Sequence, residues 1–307
     1  MQRSSCVFDV VIAGGGPAGL SAALILGRCR RRVLLCDTGK PRNVRSQALH
    51  GYLTRDGTPP LELLRIGRDE LRPYGIDTRA VEVVEVERLD DSFDVALSTG
   101  EHVNAWSVLL ATGVCDVPPD IPGLAECYGI TVHHCPYCDG WEYRDQTIAV
   151  IGEHTSPAGL ALSLKTWTDR VVACTLGKAR VNSRQREQLA AHAIPVYTAR
   201  VERIEHDRGA VRAIVFRNGA RVDCDAIFFA APQTQQCELA RRLGCEFTSK
   251  GTVRTDHLGI TCVDRVYVVG DASRDVQFAV VAAAEGAKAG VAINRALQAR
   301  SGLKAEA

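Results

Sequence analysis

The chain has 307 residues, 46% of them hydrophobic, enough for a substantial core arranged as two domains or one large one. Its formal charge is +1, from 37 basic and 36 acidic side chains, and its twelve cysteines are scattered. That balance argues against a nucleic-acid partner, the lack of a long apolar run against a membrane span, and the cysteine content against a disulfide scaffold.

Phe8 to Ala13 reads as a buried parallel strand and Leu20 to Leu26 as a helix. Between them stands Gly14-x-Gly16-x-x-Gly19, the turn of a dinucleotide site, with Pro17 and Ala18 inside it. Gly14 permits the tight turn, Gly16 lets backbone approach a pyrophosphate, and Gly19 lets helix and strand pack closely. Arg32 to Cys36 is the next strand, and it runs into Asp37, an acid placed to accept hydrogen bonds from a ribose. The motif's place near the N-terminus does not distinguish FAD from NAD. Residues 38–52 have no periodicity and suit a loop that wraps the cofactor, with Arg42, Asn43 and His50 as candidates. A helix over 60–72 and strands over 78–89, 93–98 and 105–110 follow, ending in Ala111-Thr112-Gly113. Pro118 to Gly123 marks a domain boundary.

Next comes His134-Cys135-Pro136-Tyr137-Cys138-Asp139-Gly140-Trp141-Glu142. Two cysteines at this spacing can form a reversible disulfide in a first helical turn, where free backbone N–H groups favour a thiolate. A zinc half-site and a purely structural pair are the alternatives. No second closely spaced pair completes a zinc site, so no metal is expected. Cys36, Cys174 and Cys262 lie in apolar runs and read as buried free thiols of a reducing compartment. Residues 1–8 lack a signal-peptide apolar segment, so a cytoplasmic location is expected.

Gln146 to Gly152 is a strand entering a second glycine turn, followed by a helix over 160–168 and a strand over 171–175. The architecture repeats, but the fingerprint does not. His154 stands at the second glycine position, Pro157 at the close-packing position, and Glu153 adds negative charge. No ribose-binding acid or arginine cluster is expected at Thr175 to Gly177. Strands over 194–198, 201–205, 213–216 and 226–230 follow, with Asn218-Gly219 as a hairpin turn. A short helix covers 237–243. The strand over 265–272 ends in Gly270-Asp271, which could bind another part of the first dinucleotide, and Phe278 to Leu297 reads as a long helix. The expected fold is α/β, with two Rossmann-like domains, the second inserted into the first.

In order, the first fingerprint, Ala111-Thr112-Gly113, Cys135-x-x-Cys138-Asp139-Gly140, the second Rossmann unit and Gly270-Asp271-Ala272 resemble the low-molecular-weight thioredoxin reductases over nearly the whole chain. The resemblance implies FAD, a homodimer, an FAD domain from residues 1–118 and 240–307, and a central redox domain over 119–239. It also makes Gln277 and Phe278 cofactor-side residues. The loop with Arg42-Asn43, His50-Gly51 and Asp56-Gly57, and the altered second fingerprint, look closer to the FAD-dependent dithiol oxidases of disulfide natural products. That subtype implies a small-molecule dithiol as substrate, O₂ as acceptor and H₂O₂ as product. Cys135 would then exchange with substrate, Cys138 would face the flavin, and Asp139 and His134 would handle protons, with Tyr137 and Trp141 as an apolar wall. The alternatives are an NADPH-dependent thioredoxin reductase, a flavin disulfide reductase fed by another donor, and an inert flavin-binding module.

Overall fold

The computed structural model describes residues 8–152, 156–177, 181–230, 232–274 and 276–303. They form two compact units. One combines residues up to 44, 52–115 and 233 onward; the other combines 45–51 and 116–232.

The first unit begins with β1 (Phe8–Ala13), α1 (Pro17–Arg28), β2 (Val33–Cys36), α2 (Pro60–Leu71) and β3 (Asp77–Arg79). β4 (Val83–Arg88), β5 (Phe93–Leu97), β6 (His102–Leu110) and β7 (Val114–Asp116) follow. β1 and β2 are apolar runs because both faces of a parallel sheet are covered. The sheet order is β3-β2-β1-β6-β5-β4. The single strand expected over 78–89 is in fact two, taking different partners. β3 pairs parallel with β2, and β4 pairs antiparallel with β5 through the Leu89–Ser92 turn.

The second unit contains α3 (Leu124–Cys127), β8 (Val132–His133), α4 (Pro136–Asp139), β9 (Ile148–Ile151), α5 (Ala158–Leu164), β10 (Val171–Cys174) and α6 (Ser183–Ala191). β11 (Val196–Tyr197), β12 (Val201–Asp207), β13 (Ala210–Phe216), β14 (Arg221–Asp223) and β15 (Ala226–Phe229) complete it. Its main sheet has the order β11-β10-β9-β15-β8, and each pair is parallel. β12-β13-β14 is a separate antiparallel sheet, with Gly219 at φ +83° in the turn before β14. Phe216, Phe228 and Phe229 are fully buried and form much of the core on the two faces.

The chain returns to the first unit through β16 (Gln233–Gln235), which pairs with β7, α7 (Leu239–Arg242) and β17 (Val266–Val268), which pairs with β6. α8 (Ala279–Arg300) then packs along α1. A Cβ at Gly286 would fall 1.9 Å from the Ala18 carbonyl oxygen, so the glycines of this long helix permit a close crossing. Cys36 and Cys174 are buried free thiols, but Cys262 is exposed: its loop between Ile260 and Val266 lies outside the regular strands. Among the described residues no helix is long and apolar enough to cross a membrane.

Candidate functional site

The glycine turn of the first unit is built as a nucleotide cradle. Gly14 has φ +108°, and a Cβ there would lie 2.3 Å from the Ala111 carbonyl oxygen. A Cβ at Gly19 would lie 1.9 Å from the Gly14 carbonyl oxygen, whereas nothing stands within 4 Å of a Cβ at Gly16. The turn is therefore closed on its inner side and open at Gly16. α1 begins with Pro17, carries no acid in its first turn and has no side-chain cap, an arrangement suited to an anion. Asp37 follows β2, beside the Gly15 backbone, and accepts a hydrogen bond from Arg68 Nη2 at 2.5 Å. These residues fit the pyrophosphate and ribose of FAD, and the chain has an FAD-binding fold.

Other expected cofactor residues gather in the same unit. The Arg42 guanidinium donates to Asp271 Oδ2 at 2.9 Å and to Gln277 Oε1 at 2.6 Å. Gln277 in turn exchanges hydrogen bonds with Gln233, a residue the sequence did not single out. Gly270 has φ +71° and donates its N–H to Glu285, which also binds Arg274. Phe278 is the N-cap of α8, and Gly113 accepts from the Gln236 N–H. Ala111 donates to Ala13, placing Ala111-Thr112-Gly113 beside the cradle. Asn43 is exposed in a turn. His50 belongs instead to the second unit, where its Nε2 is 3.4 Å from Glu142 Oε1.

In the second unit Cys135 and Cys138 form a disulfide. Cys135 caps α4, Pro136 occupies its first position, and the Cys135 carbonyl accepts from the N–H groups of Cys138 and Asp139. Pro136 starts the turn without losing an intrahelical bond, because a first-turn N–H has no partner within the helix. A Cβ at Gly140 would lie 2.5 Å from the Pro136 carbonyl oxygen and 2.9 Å from the Trp167 ring, so only glycine closes this turn. Both cysteines are half-buried, while Tyr137 is 71% and Trp141 63% exposed. Tyr137 meets Trp167 edge-on, and Arg144 lies over Trp141.

The histidine nearest Asp139 is not the expected one. His134 lies toward Asp116 and Tyr128, with its Nδ1 3.8 Å from Asp116 Oδ2 and 3.3 Å from the Tyr128 hydroxyl. His133, buried in β8 opposite Phe228, has its Nδ1 3.3 Å from Asp139 Oδ1. Its Nε2 is 3.2 Å from the Tyr143 hydroxyl, and that hydroxyl donates to the Ile130 carbonyl. Burial, then the charges of Asp139 and Glu142, push the Tyr143 hydroxyl well above its ordinary pKa, so it remains protonated.

β9, α5 and β10 form the second Rossmann unit. Pro157 is the N-cap of α5 and stands outside that helix, whereas Gly19 lies within α1. Glu153 and His154 lie outside the described residues.

The pyridine nucleotide-disulphide oxidoreductase family model matches residues 8–286. A thioredoxin reductase, tcpT, from Claviceps purpurea is 30% identical, over 82% of each chain. Another, sirT, from Leptosphaeria maculans is 29% identical, over 96% of this chain and 95% of its own. The crystal structure of HlmI is 36% identical, covers 98% of this chain and 95% of that one, and superposes with a TM-score of 0.91. These relatives overturn the expectation of an O₂-coupled oxidase with a small dithiol as primary partner. The full-length relatives carry the name thioredoxin reductase, and the altered second fingerprint is too narrow a basis to set against them. The chain is an FAD-dependent thiol/disulfide oxidoreductase and belongs to the pyridine nucleotide-disulphide oxidoreductase family, in its low-molecular-weight thioredoxin reductase group.

Proposed function

We propose that the protein uses NADPH to reduce the disulfide of a thioredoxin-type protein. The observation that carries this reading is the half-buried Cys135–Cys138 pair in a chain that matches thioredoxin reductases along nearly its whole length. FAD, when bound, supplies two-electron transfer between a nicotinamide and a disulfide. Gly14, Gly16, Pro17, Ala18 and Gly19 hold its pyrophosphate, and Asp37 holds a ribose hydroxyl. Ala111 to Gly113 and the Arg42–Asp271–Gln277 group position the rest.

The reduced pair does the exchange. A Cys135 thiolate attacks one sulfur of the partner disulfide, forming a mixed disulfide and releasing the other partner sulfur as a thiolate. Cys138 then attacks the mixed disulfide at Cys135, releasing the second partner thiolate and restoring Cys135–Cys138. Two thiol protons leave the enzyme and two thiolates of the partner accept protons. Asp139 is the group that hands a proton across. Nine free thiols among the described residues fit a reducing compartment, such as the cytoplasm, and family membership fits a homodimer.

Anaerobic mixing with NADPH, followed by thioredoxin-coupled reduction of insulin, tests the reading. Rapid bleaching of the yellow enzyme and thioredoxin-dependent insulin reduction are expected, both faster with NADPH than with NADH. Failure of both nucleotides to bleach the enzyme would overturn it.

A further inference from the structure

We infer that His133 is a positioning residue that holds one proton between its Nδ1 and Asp139 for the exchange at Cys135–Cys138. The argument starts from a group that can only accept. The Ile130 carbonyl takes the sole proton of the Tyr143 hydroxyl, at 2.8 Å. Toward His133 that hydroxyl can therefore only accept, so His133 Nε2 carries the hydrogen of the 3.2 Å contact. A neutral imidazole has one N–H. With Nε2 protonated, the bare lone pair of Nδ1 faces Asp139 Oδ1 at 3.3 Å.

An ionised Asp139 opposite that lone pair is a repulsive contact. One further proton removes it, held either on Asp139 or on Nδ1. The arrangement is a directional chain: Ile130 carbonyl, Tyr143 hydroxyl, His133 Nε2–H, then one proton shared between Nδ1 and Asp139. The proton belongs to the pair, held between Nδ1 and Asp139 Oδ1. The chain's inner end is shielded, because His133 is 7% exposed and packs at a tilt against the Phe228 and Tyr143 rings. The titratable and charged groups facing it are Asp139 from α4 and Tyr143 and Glu142 from the following turn; Glu142 is itself beside His50. β15 presents Phe228, which carries no charge.

Resting on the proposed reductase reading, the step balances as follows. When a thiolate leaves a disulfide, the pair's proton moves to that sulfur and the pair becomes ionised. The thiol that becomes the next nucleophile returns a proton to the pair. His133 touches neither sulfur in this scheme; it acts through Asp139, and Tyr143 acts through His133.

Two measurements test this without NADPH or thioredoxin. The first follows anaerobic reduction of Cys135–Cys138 by dithiothreitol, using mass spectrometry of alkylated, acid-quenched samples. The rate is divided by the thiolate fraction of the reductant, leaving the enzyme's own proton requirement as an alkaline limb. Tyr143→Phe removes the acceptor that holds the Nε2–H tautomer, so His133 can turn Nδ1–H toward an ionised Asp139. The alkaline limb should then move down by about one pH unit, and His133→Gln should move it in the same direction. A uniform loss of rate at every pH, or an unmoved limb in both variants, overturns the inference. The second measurement is ¹⁵N NMR of the histidines, with the His133 signal assigned by its absence from His133→Gln. Nε2–H is expected throughout; a neutral Nδ1–H tautomer in the unmodified protein overturns the inference, whatever the physiological substrate. Failed NADPH reduction with both these results intact would overturn the reductase reading and leave the proton pair standing.

Discussion

Gly19 shows how a single hydrogen atom sets the cofactor turn. Its substitute Cβ would overlap the Gly14 carbonyl oxygen at 1.9 Å, a backbone atom that cannot rotate away. Gly19→Ala should lower stability by about 1–3 kcal/mol and reduce FAD content, measured by thermal unfolding and by flavin absorbance per chain. In the second unit, Arg200 is exposed, and its Cβ lies 3.9 Å from a Cβ placed on Gly177, just beyond β10. In the sequence Lys178 and Arg180 follow as well. A cation beyond the second strand of a Rossmann unit suits the NADPH 2′-phosphate. Arg200→Ala should raise the KM for NADPH by roughly tenfold and leave that for NADH nearly unchanged, as steady-state kinetics can check. The glycine fingerprint and the cysteine pair were legible because their chemistry is local: spacing alone builds the turn. The choice between His133 and His134 was not, because both flank the pair in sequence. Burial of His133 in β8 and the position of Tyr143 decide which imidazole meets Asp139.

At the scale of elements, α6 is the helix that the hydrophobic pattern conceals. It is polar, with Leu189 its one buried residue, so no apolar stripe announces it. Its signal is the start: Asn182 accepts from the Gln185 N–H, and the Gln185 side chain accepts from the Asn182 N–H. Asn182→Ala should cost about 1 kcal/mol in chemical denaturation, with turnover unchanged. The long helix α8 was legible despite its glycines because alanines fill the rest of it. The break between β3 and β4 was not, since residues 78–89 keep strand-like composition across it and only different pairing partners separate them.

At the scale of the molecule, buried thiols tie stability to alkaline pH. Burial pushes Cys36 and Cys174 from 9.0 up to about 12, and Cys224 moves in the same direction. The folded protein holds these protons where the unfolded chain releases them. Their contribution is therefore fully present below 9.0 and is lost as pH rises toward about 12. Urea midpoints should fall across that window, and Cys174→Ala should flatten the decline.

The sequence by itself determined two Rossmann-like units, the nucleotide turn, the redox cysteine pair and the family resemblance, because these depend on residue type and short-range spacing. Its loop over Arg42 to Gly57 and its altered second fingerprint point to O₂ and a small dithiol, and the match of the whole chain to thioredoxin reductases overturns that. Tertiary structure alone decided which strands pair, that Pro157 stands outside α5, that Arg42 meets Asp271 and Gln277, and that His133 meets Asp139. Each joins groups whose meeting depends on sheet order, helix start or burial, and the free energy of such contacts comes from neighbours that local sequence does not specify. The Cys135–Cys138 turn was readable along the chain, while the buried histidine behind it became visible only once β8, α4 and β15 had assembled around it.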